Sequence, residues 1–303
     1  MWRYVVKRLL LAIVTIFVVI AITFFAMNAI PGGPFDKEKA SDPATIKALT
    51  ERYDLDKPLG EQFLIYLQRM MHFDLGISMR NGRDIMKTIK TKFAVSAKIG
   101  GYSILVSFAF GITLGVLAAL RRNKLTDRII IFFTTLFQSV PGFVMATLLL
   151  LVFAQELGWF QVYSAGKPNY FLAVLSLSLY PMAYITRLTK SSMLDVLADD
   201  YIRTARSKGV NPVMVVAKHA LRNAVLPIIT YLGPMVAYTL TGSMVVETVF
   251  IMPGLGMEFV QSILNRDYTM IMGTTIFLAS LMVIMTLLSD LIYKLVDPRI
   301  QFE

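Results

Sequence analysis

Cysteine is absent from the 303-residue chain, and histidine is nearly so, with only His72 and His219 present. Without cysteine there are no disulfides, thiolate zinc sites, iron–sulfur clusters or cysteine nucleophiles. Two histidines far apart in sequence do not suggest a metal site within the chain. Charge is scarce as well. Asp, Glu, Lys and Arg make up 17% of the residues, against about 25% in a soluble domain. A G-x-x-x-x-G-K-[ST] loop for ATP phosphates is also missing. Gly166-Lys167-Pro168 lacks both the preceding spacing and the hydroxyl residue. Any ATP-driven work must therefore draw on a partner. Apolar residues dominate the chain, at 56%, and lipid is the solvent that suits them.

A membrane helix needs about 20 mostly apolar residues to cross a core about 30 Å thick. Six stretches without Asp, Glu, Lys or Arg meet this: Leu9–Ile30, Ile99–Leu120, Ile129–Gln155, Pro168–Thr186, Asn223–Val246 and Tyr268–Ser289. The third is broken by Pro141-Gly142, and the fourth is the shortest and most polar. The first comes after Arg3, Lys7 and Arg8, a flank that a secretory signal would share. Its stretch of 22 residues exceeds the roughly 7–15 of a signal core, so it is expected to remain as a span. The fold class is an all-α membrane protein with six transmembrane helices.

The net charge is +10, and its placement decides what it means. Sixteen basic residues lie before the first stretch, between the second and third, between the fourth and fifth, and after the sixth. Only Lys167 and Arg266 lie in the short loops of the other side. The remaining twelve share Pro31–Lys98 with nine carboxylates, in a segment longer than the roughly 60 residues to which the positive-inside rule applies. Both termini are thus expected in the cytoplasm. The charge is topology, not a nucleic-acid footprint.

The chain divides into three parts: residues 1–30 with the first span, an external helical region over 31–98, and a five-span core over 99–303 containing a cytoplasmic segment, 187–222. In the external region Asp42-Pro43 reads as a helix start, with Ile46, Leu49 and Tyr53 beyond it at helical spacing. Pro58 opens a second amphipathic helix with Leu59, Phe63, Leu67 and Met70 on one face. This region caps the spans or receives a ligand-delivery protein; the two are compatible. In the cytoplasmic segment, Ser192 with Asp195 fits a capping box. Leu194, Leu197, Tyr201 and Ala205 form an apolar stripe. Gly209 can end a helix in the left-handed region, and Asn211-Pro212 restarts one. A helix, sharp turn and helix of 36 residues far exceeds what joins two spans. It suits a protein partner, or an amphipathic helix lying on anionic lipid. The last external connection holds Pro253-Gly254-Leu255-Gly256, a sharp turn at the outer mouth.

These segments jointly resemble the permease subunits of bacterial ATP-binding-cassette importers of the oligopeptide and dipeptide (OppB/DppB-like) family. Asp200-Tyr-Ile-Arg-Thr-Ala-Arg-Ser-Lys-Gly209 and Lys218-His-Ala-Leu-Arg-Asn-Ala-Val-Leu-Pro227 are similar to that family's form of the importer "EAA" motif. Pro31-Gly-Gly-Pro34, Tyr53-Asp-Leu-Asp-Lys-Pro-Leu59, Phe73-Asp-Leu-Gly76, Val249-Phe-Ile-Met-Pro-Gly-Leu-Gly256, Arg266-Asp-Tyr268 and Asp297-Pro-Arg-Ile300 extend the match nearly end to end. The sequence departs from the general motif: Arg203-Thr204-Ala205 stands where importers carry Glu-Ala-Ala, and Gly209 is farther from Pro227. A specific glutamate–partner contact therefore does not carry over. The resemblance implies a type I importer permease fold and a multi-pass protein of the bacterial cytoplasmic membrane. It also implies a second homologous permease, two ATPase subunits that hold the ATP and Mg, and an external peptide-binding protein. The coupling residues it implies are Tyr201, Arg203, Thr204, Ala205, Arg206, Lys208 and Gly209. Nickel importers share this branch, so a metal chelate is an alternative substrate.

A secondary carrier and an intramembrane protease are the rivals. Carriers place Asp, Glu or His in their spans, and proteases need an activated nucleophile, paired Asp or a zinc helix. The six stretches contain none of these groups. Polar residues that interrupt the spans are the expected substrate path: Gln138 and Ser139 near Pro141, Tyr180 and Tyr184 around Pro181, and Tyr238 and Thr241 in the fifth. The same groups could instead join helices. Gly111-x-x-x-Gly115 is expected to pack two helices closely.

Overall fold

The computed structural model describes residues 2–29, 47, 50–51, 53–164, 166–241 and 243–296. The helix start expected at Asp42-Pro43, Ile46 and Leu49 beyond it, Pro31–Pro34 and Asp297–Ile300 lie outside the described residues. Regular structure in the described residues is helical, with only isolated bridges between Ile77 and Asp84 and between Ser164 and Lys167. The helices are α1 (Trp2–Ala29), α2 (Leu59–Met71), α3 (Ile85–Leu120), α4 (Leu125–Ser139), α5 (Gly142–Leu149), α6 (Phe171–Ala198), α7 (Asp200–Ser207), α8 (Pro212–Met214), α9 (Leu221–Ala224), α10 (Leu226–Thr241), α11 (Met244–Val249), α12 (Leu255–Leu264) and α13 (Tyr268–Val296). Two wide turns, Leu150–Glu156 and Val215–Ala220, continue α5 and join α8 to α9.

Among the described residues five helices are long and apolar enough to cross a bilayer, and α4 with the helix from Gly142 to Glu156 makes a sixth candidate, bent by 107°. The bend falls where Pro141 stands in extended conformation, with ψ 138°, because proline cannot continue the ladder of α4. The packing of α3 on α6 shows that this broken pair carries the chain across. Ser103 Oγ donates to the Val174 carbonyl at 3.2 Å and Ser107 Oγ to the Ser178 carbonyl at 3.0 Å, a constant offset of 71 residues. The two helices are therefore parallel. Parallel spans need one return crossing between them, and α4, α5 and their extension are the segment available.

Three boundaries differ from expectation. α3 starts at Ile85, well before Ile99, because the Asp84 carboxylate accepts the Lys87 N–H at 2.7 Å and caps it. The lysines of its first turns are compatible with a helix but not with lipid. α6 starts at Phe171 and runs unbroken past Thr186 to Ala198. Ser192 therefore lies inside a helix, and the capping box with Asp195 does not form. The helix ends instead at Asp199, whose ψ of 148° breaks the ladder.

The described chain gathers into two compact units, residues 1–94 with 253–284 and residues 95–252 with 285–303. In the first, Phe24, Met27, Tyr268, Ile271 and Met272 form one apolar cluster with Phe63, Tyr66, Met79 and Phe259 around it. α2 thus presents Phe63, Tyr66 and Met70 to the interior, while Leu59 of the expected face is exposed. The buried Asp267 ties the turn at 77–81 to the start of α13. It accepts from Ser78 Oγ and from the N–H groups of Met79 at 3.2 Å and Met270 at 3.3 Å. Outside the spans, the Lys57 ammonium bonds Asp54 at 2.9 Å and holds its carboxyl below the usual carboxylate range.

In the second unit the expected Gly111/Gly115 contact is found, and it is longer than two glycines. A Cβ at Gly111 would lie 2.8 Å from Ile185 Cβ, and one at Gly115 would lie 2.7 Å from the Thr186 carbonyl. Ser103, Ser107, Gly111 and Gly115 recur every fourth residue, so three turns of α3 present small residues to α6. Both serines also bond back to their own helix, which leaves neither serine hydroxyl unsatisfied in an apolar setting.

Candidate functional site

The segment after α6 is built as a rigid bracket. Ile202, fully buried, and Ala205 turn inward from α7 onto Ala119, Met193, Val215, Ala220 and Ala224, with Leu194 and Leu197 packed beside them. Two hydrogen bonds fix the end of α7. The Gly209 N–H donates to the Arg206 carbonyl at 3.0 Å, and the Val210 N–H to the Ala205 carbonyl at 3.3 Å. Together they form a Schellman cap, with Gly209 at φ 73° as the expected left-handed residue. Val210 then packs in the same cluster as Ala205. The expected restart is also present. Asn211 Oδ1 accepts the Val213 N–H at 2.9 Å, and Pro212 takes the first helical position. The chain from Pro212 to Ala224 is not one regular helix but a short turn, the wide turn Val215–Ala220 and α9.

Of the seven positions that the resemblance implies for coupling, Ala205 is buried, and Tyr201, Arg203, Thr204, Arg206, Lys208 and Gly209 are exposed. The Tyr201 hydroxyl accepts from Asn223 Nδ2 at 2.7 Å, tying α7 to the chain that enters α10. Arg203 pairs within α7 with Asp200 at 3.4 Å. The outer face is therefore basic and stands on a braced apolar base.

The polar residues of the spans fall on one surface of the same unit. Tyr180 and Tyr184 are exposed along α6, and Tyr238 is exposed on α10. The Tyr184 ring lies 4.2 Å from that of Tyr231, and Tyr231 is within electrostatic reach of Tyr180, Tyr184 and Tyr238. Gln138, at the end of α4, accepts from Arg187 Nη1 at 3.0 Å, and Ser139 beside it is exposed. The Thr241 side chain lies outside the described residues. Pro181 does not open this surface; it is buried inside α6.

Sequence reasoning missed three polar groups. Its charge places Arg187 in the cytoplasmic segment, yet it continues the face of Tyr180 and Tyr184. Lys190 is ion-paired to the buried Asp127 at 2.6 Å, joining α6 to the start of α4. Glu247 lies one residue beyond the fifth charge-free stretch and is completely buried in α11, where it accepts from Ser243 Oγ at 2.5 Å. The absence of carboxylates holds for the six stretches but not for the helix that adjoins the fifth. Among the described residues no cluster of His, Asp and Glu could hold a metal ion.

Comparison with known proteins gives this architecture a family. Residues 111–302 match the family model "Binding-protein-dependent transport system inner membrane component", and residues 1–99 match its N-terminal counterpart. The chain is 44% identical to the dipeptide transport system permease protein DppB of Bacillus subtilis, over 100% of this chain and 99% of that one. It is 38% identical to the oligopeptide transport system permease protein OppB of Haemophilus influenzae, over 100% of both. In fold it resembles an inward-facing MetNI methionine ABC transporter chain, with TM-score 0.55, 16% identity, and 70% and 97% of the two chains covered. A chain of an amino acid ABC transporter aligns with TM-score 0.51, 18% identity, and 71% and 95% covered. With family models spanning most of its length and full-length relatives of this identity, the chain belongs to the inner-membrane permease components of binding-protein-dependent transport systems.

Proposed function

We propose that this chain forms half of the translocation pathway of an ATP-driven peptide importer in a bacterial cytoplasmic membrane. A second, homologous permease supplies the other half. Two ATPase subunits, which hold the ATP and Mg, dock from the cytoplasm, and an external binding protein delivers the peptide. The chain itself does not hydrolyse ATP. The observation that carries this reading is the bracket at α7: a basic exposed face on a buried apolar base, ended by the Gly209 cap. Power from a partner crosses only through rigid contact, and this is the segment built for it. Tyr180, Tyr184 and Tyr238, with Gln138 and Ser139, line the path. Hydroxyls and amides can serve a peptide's backbone without selecting its side chains. The relatives named for dipeptides and oligopeptides favour peptide over a nickel chelate. The test is reconstitution with both ATPases, the second permease and the binding protein. The expected result is peptide uptake coupled to hydrolysis in the full assembly and no hydrolysis by the purified chain. Steady hydrolysis by this chain alone, free of contaminating ATPase, would sink the reading.

A further inference from the structure

From Leu179 to Ser191, α6 is buried or half-buried at every position except Tyr180, Tyr184, Arg187 and Ser191. These recur at spacings of four, three and four residues, so they form one open stripe on an otherwise enclosed helix. A polar stripe on a helix this enclosed faces water or substrate rather than lipid tails. Its one cation is Arg187.

The two cations of this part of α6 are treated differently. Lys190 is neutralised by Asp127 at 2.6 Å. Arg187 has no carboxylate partner among the described residues; its one protein bond there runs from Nη1 to Gln138 Oε1 at 3.0 Å. A guanidinium carries five N–H donors in a planar fork, so most of that fork has no protein acceptor among the described residues. The bond to Gln138 fixes the side chain beside Ser139, at the bend of the broken span. The result is an oriented, unneutralised fork at the end of a row of tyrosine hydroxyls.

A guanidinium fork matches a carboxylate in two parallel hydrogen bonds. Every linear peptide ends in a carboxylate, whatever its side chains. We propose that Arg187, held by Gln138, receives the C-terminal carboxylate of the peptide as it passes this wall, and that Gln138 is its positioning residue. The proposal rests on the peptide-importer reading above and adds to it the group that is recognised. It reconciles tolerance of sequence with a charged contact, because the one charge read is common to all substrates.

The test uses the full transporter in nanodiscs, without nucleotide and without the delivery protein, so that the delivery protein's own preference does not enter. Binding of radiolabelled tri-alanine is compared with that of tri-alanine amide. Wild type should bind the acid roughly tenfold or more tightly, the scale of a charge-assisted pair. Arg187→Gln should weaken the acid to the level of the amide and leave the amide unchanged. Arg187→Lys should keep part of the preference, and Gln138→Ala should reduce it by less than Arg187→Gln does. Three results would overturn the proposal. One is absent or undetectable discrimination in the wild type. Another is an equal loss of both peptides in Arg187→Gln, which marks a structural role. The third is an acid-to-amide ratio unchanged by Arg187→Gln, which assigns the guanidinium to lipid phosphate or to the second permease. Wild-type uptake of tri-alanine, measured in parallel with the delivery protein, separates the two readings. Intact uptake with an unchanged ratio removes only the carboxylate contact, whereas no uptake of any peptide removes the importer reading itself.

Discussion

The helices α1 and α6 are equal in length, 28 residues each, and divide the work of a membrane protein between them. In its spanning window α1 is 11% buried within the chain, and α6 is 56% buried. The more apolar helix is the exposed one. Leu10, Ile13, Val14 and Ile22 of α1 are all more than half exposed. α6 instead carries Ser176, Ser178, Thr186 and Thr189 at buried positions. In water this order would be reversed. In lipid, apolar surface gains little from being covered, and small or hydroxyl residues are what let helices approach and bond. Hydropathy therefore finds the spans, while the scarcity of bulk finds the interior.

The largest way to break this division is to put bulk where α3 meets α6. Gly115→Leu drives a side chain into Thr189 and the Thr186 carbonyl, which a Cβ alone would already meet at 2.7 Å or less. Overpacking typically costs about 1–3 kcal/mol and occasionally more; here the obstacle is backbone, so little folded protein should accumulate at matched expression. Normal yield and normal thermal stability in detergent would show that the helices can part freely. Ile185→Ala makes the opposite defect, a cavity at a fully buried site, and should cost about 2–5 kcal/mol in the same measurement.

Breaking the Asp127–Lys190 pair comes next. Lys190→Met leaves Asp127 buried, with the Asn123 N–H at 3.0 Å as its remaining donor. The loss should be about 3 kcal/mol, the lower edge for breaking a buried pair, because the lysine keeps some exposure. Asp127→Leu with Lys190→Met removes both charges and should recover most of that loss. A double variant no more stable than the single one would mean the pair is not coupled.

How much of this was legible in the sequence depended on what the residues report. Absence of charge located the apolar runs, yet it misplaced helix ends. Charge marks where lipid stops, not where a helix stops, so α6 continues through Arg187 to a break set by the backbone of Asp199. The same error made Ser192 look like a cap. Glycine was informative where conformation required it: Gly209 is left-handed as expected. In Pro253-Gly254-Leu255-Gly256 it was not. The left-handed residue of that connection is Ile251, two residues before Pro253, at φ 52°, where the chain closes a bond from the Met252 N–H to the Glu247 carbonyl. The Ile251 N–H also bonds the Thr248 carbonyl at 3.3 Å, so α11 ends in the same local pattern of bonds as α7, with a β-branched residue where α7 has glycine, and residue preference does not announce it. The glycine pair in α3 was legible, but the serines that extend it were not, because a serine in a span is equally a packing residue or a path residue. Arg187 was hidden by its usefulness as a topology marker.

The bracket at α7, which the proposed function assigns to coupling, should give a smaller effect on stability and a larger one on work. Nothing lies within 4 Å of a Cβ built on Gly209, so Gly209→Val pays only for its backbone conformation, about 1–3 kcal/mol. Gly209→Asn should cost less, since Asn tolerates the left-handed region. Uptake should fall in the Val variant while protein level and pairing with the second permease persist, and Asn should retain more uptake than Val. Equal uptake in both, at the level of the unsubstituted protein, would remove this turn from the coupling path.

The smallest expected effect closes the comparison with α1. Ile13 is 63% exposed, so Ile13→Ala opens no cavity in the chain, and the lost methyl groups had lipid or a partner as their neighbours. Lipid tails refill such a gap as a packed helix cannot. The change in detergent stability should stay within about 0.5 kcal/mol, as for other sites without a buried contact. The same truncation at Ile185 should cost several times more, although residue and chemistry are identical. Helix insertion should also survive, since one residue contributes only about 0.3–0.6 kcal/mol to it. Two measurements keep the outcome informative. Thermal stability of the isolated chain reports its own packing, and recovery of the second permease reports whether α1 meets a partner. A large loss of stability in the isolated chain would show that α1 packs against this chain more closely than its exposure indicates. Unchanged stability with poor recovery of the second permease would instead assign the exposed face of α1 to that subunit, and the contrast between α1 and α6 would then separate interface from core rather than lipid from core.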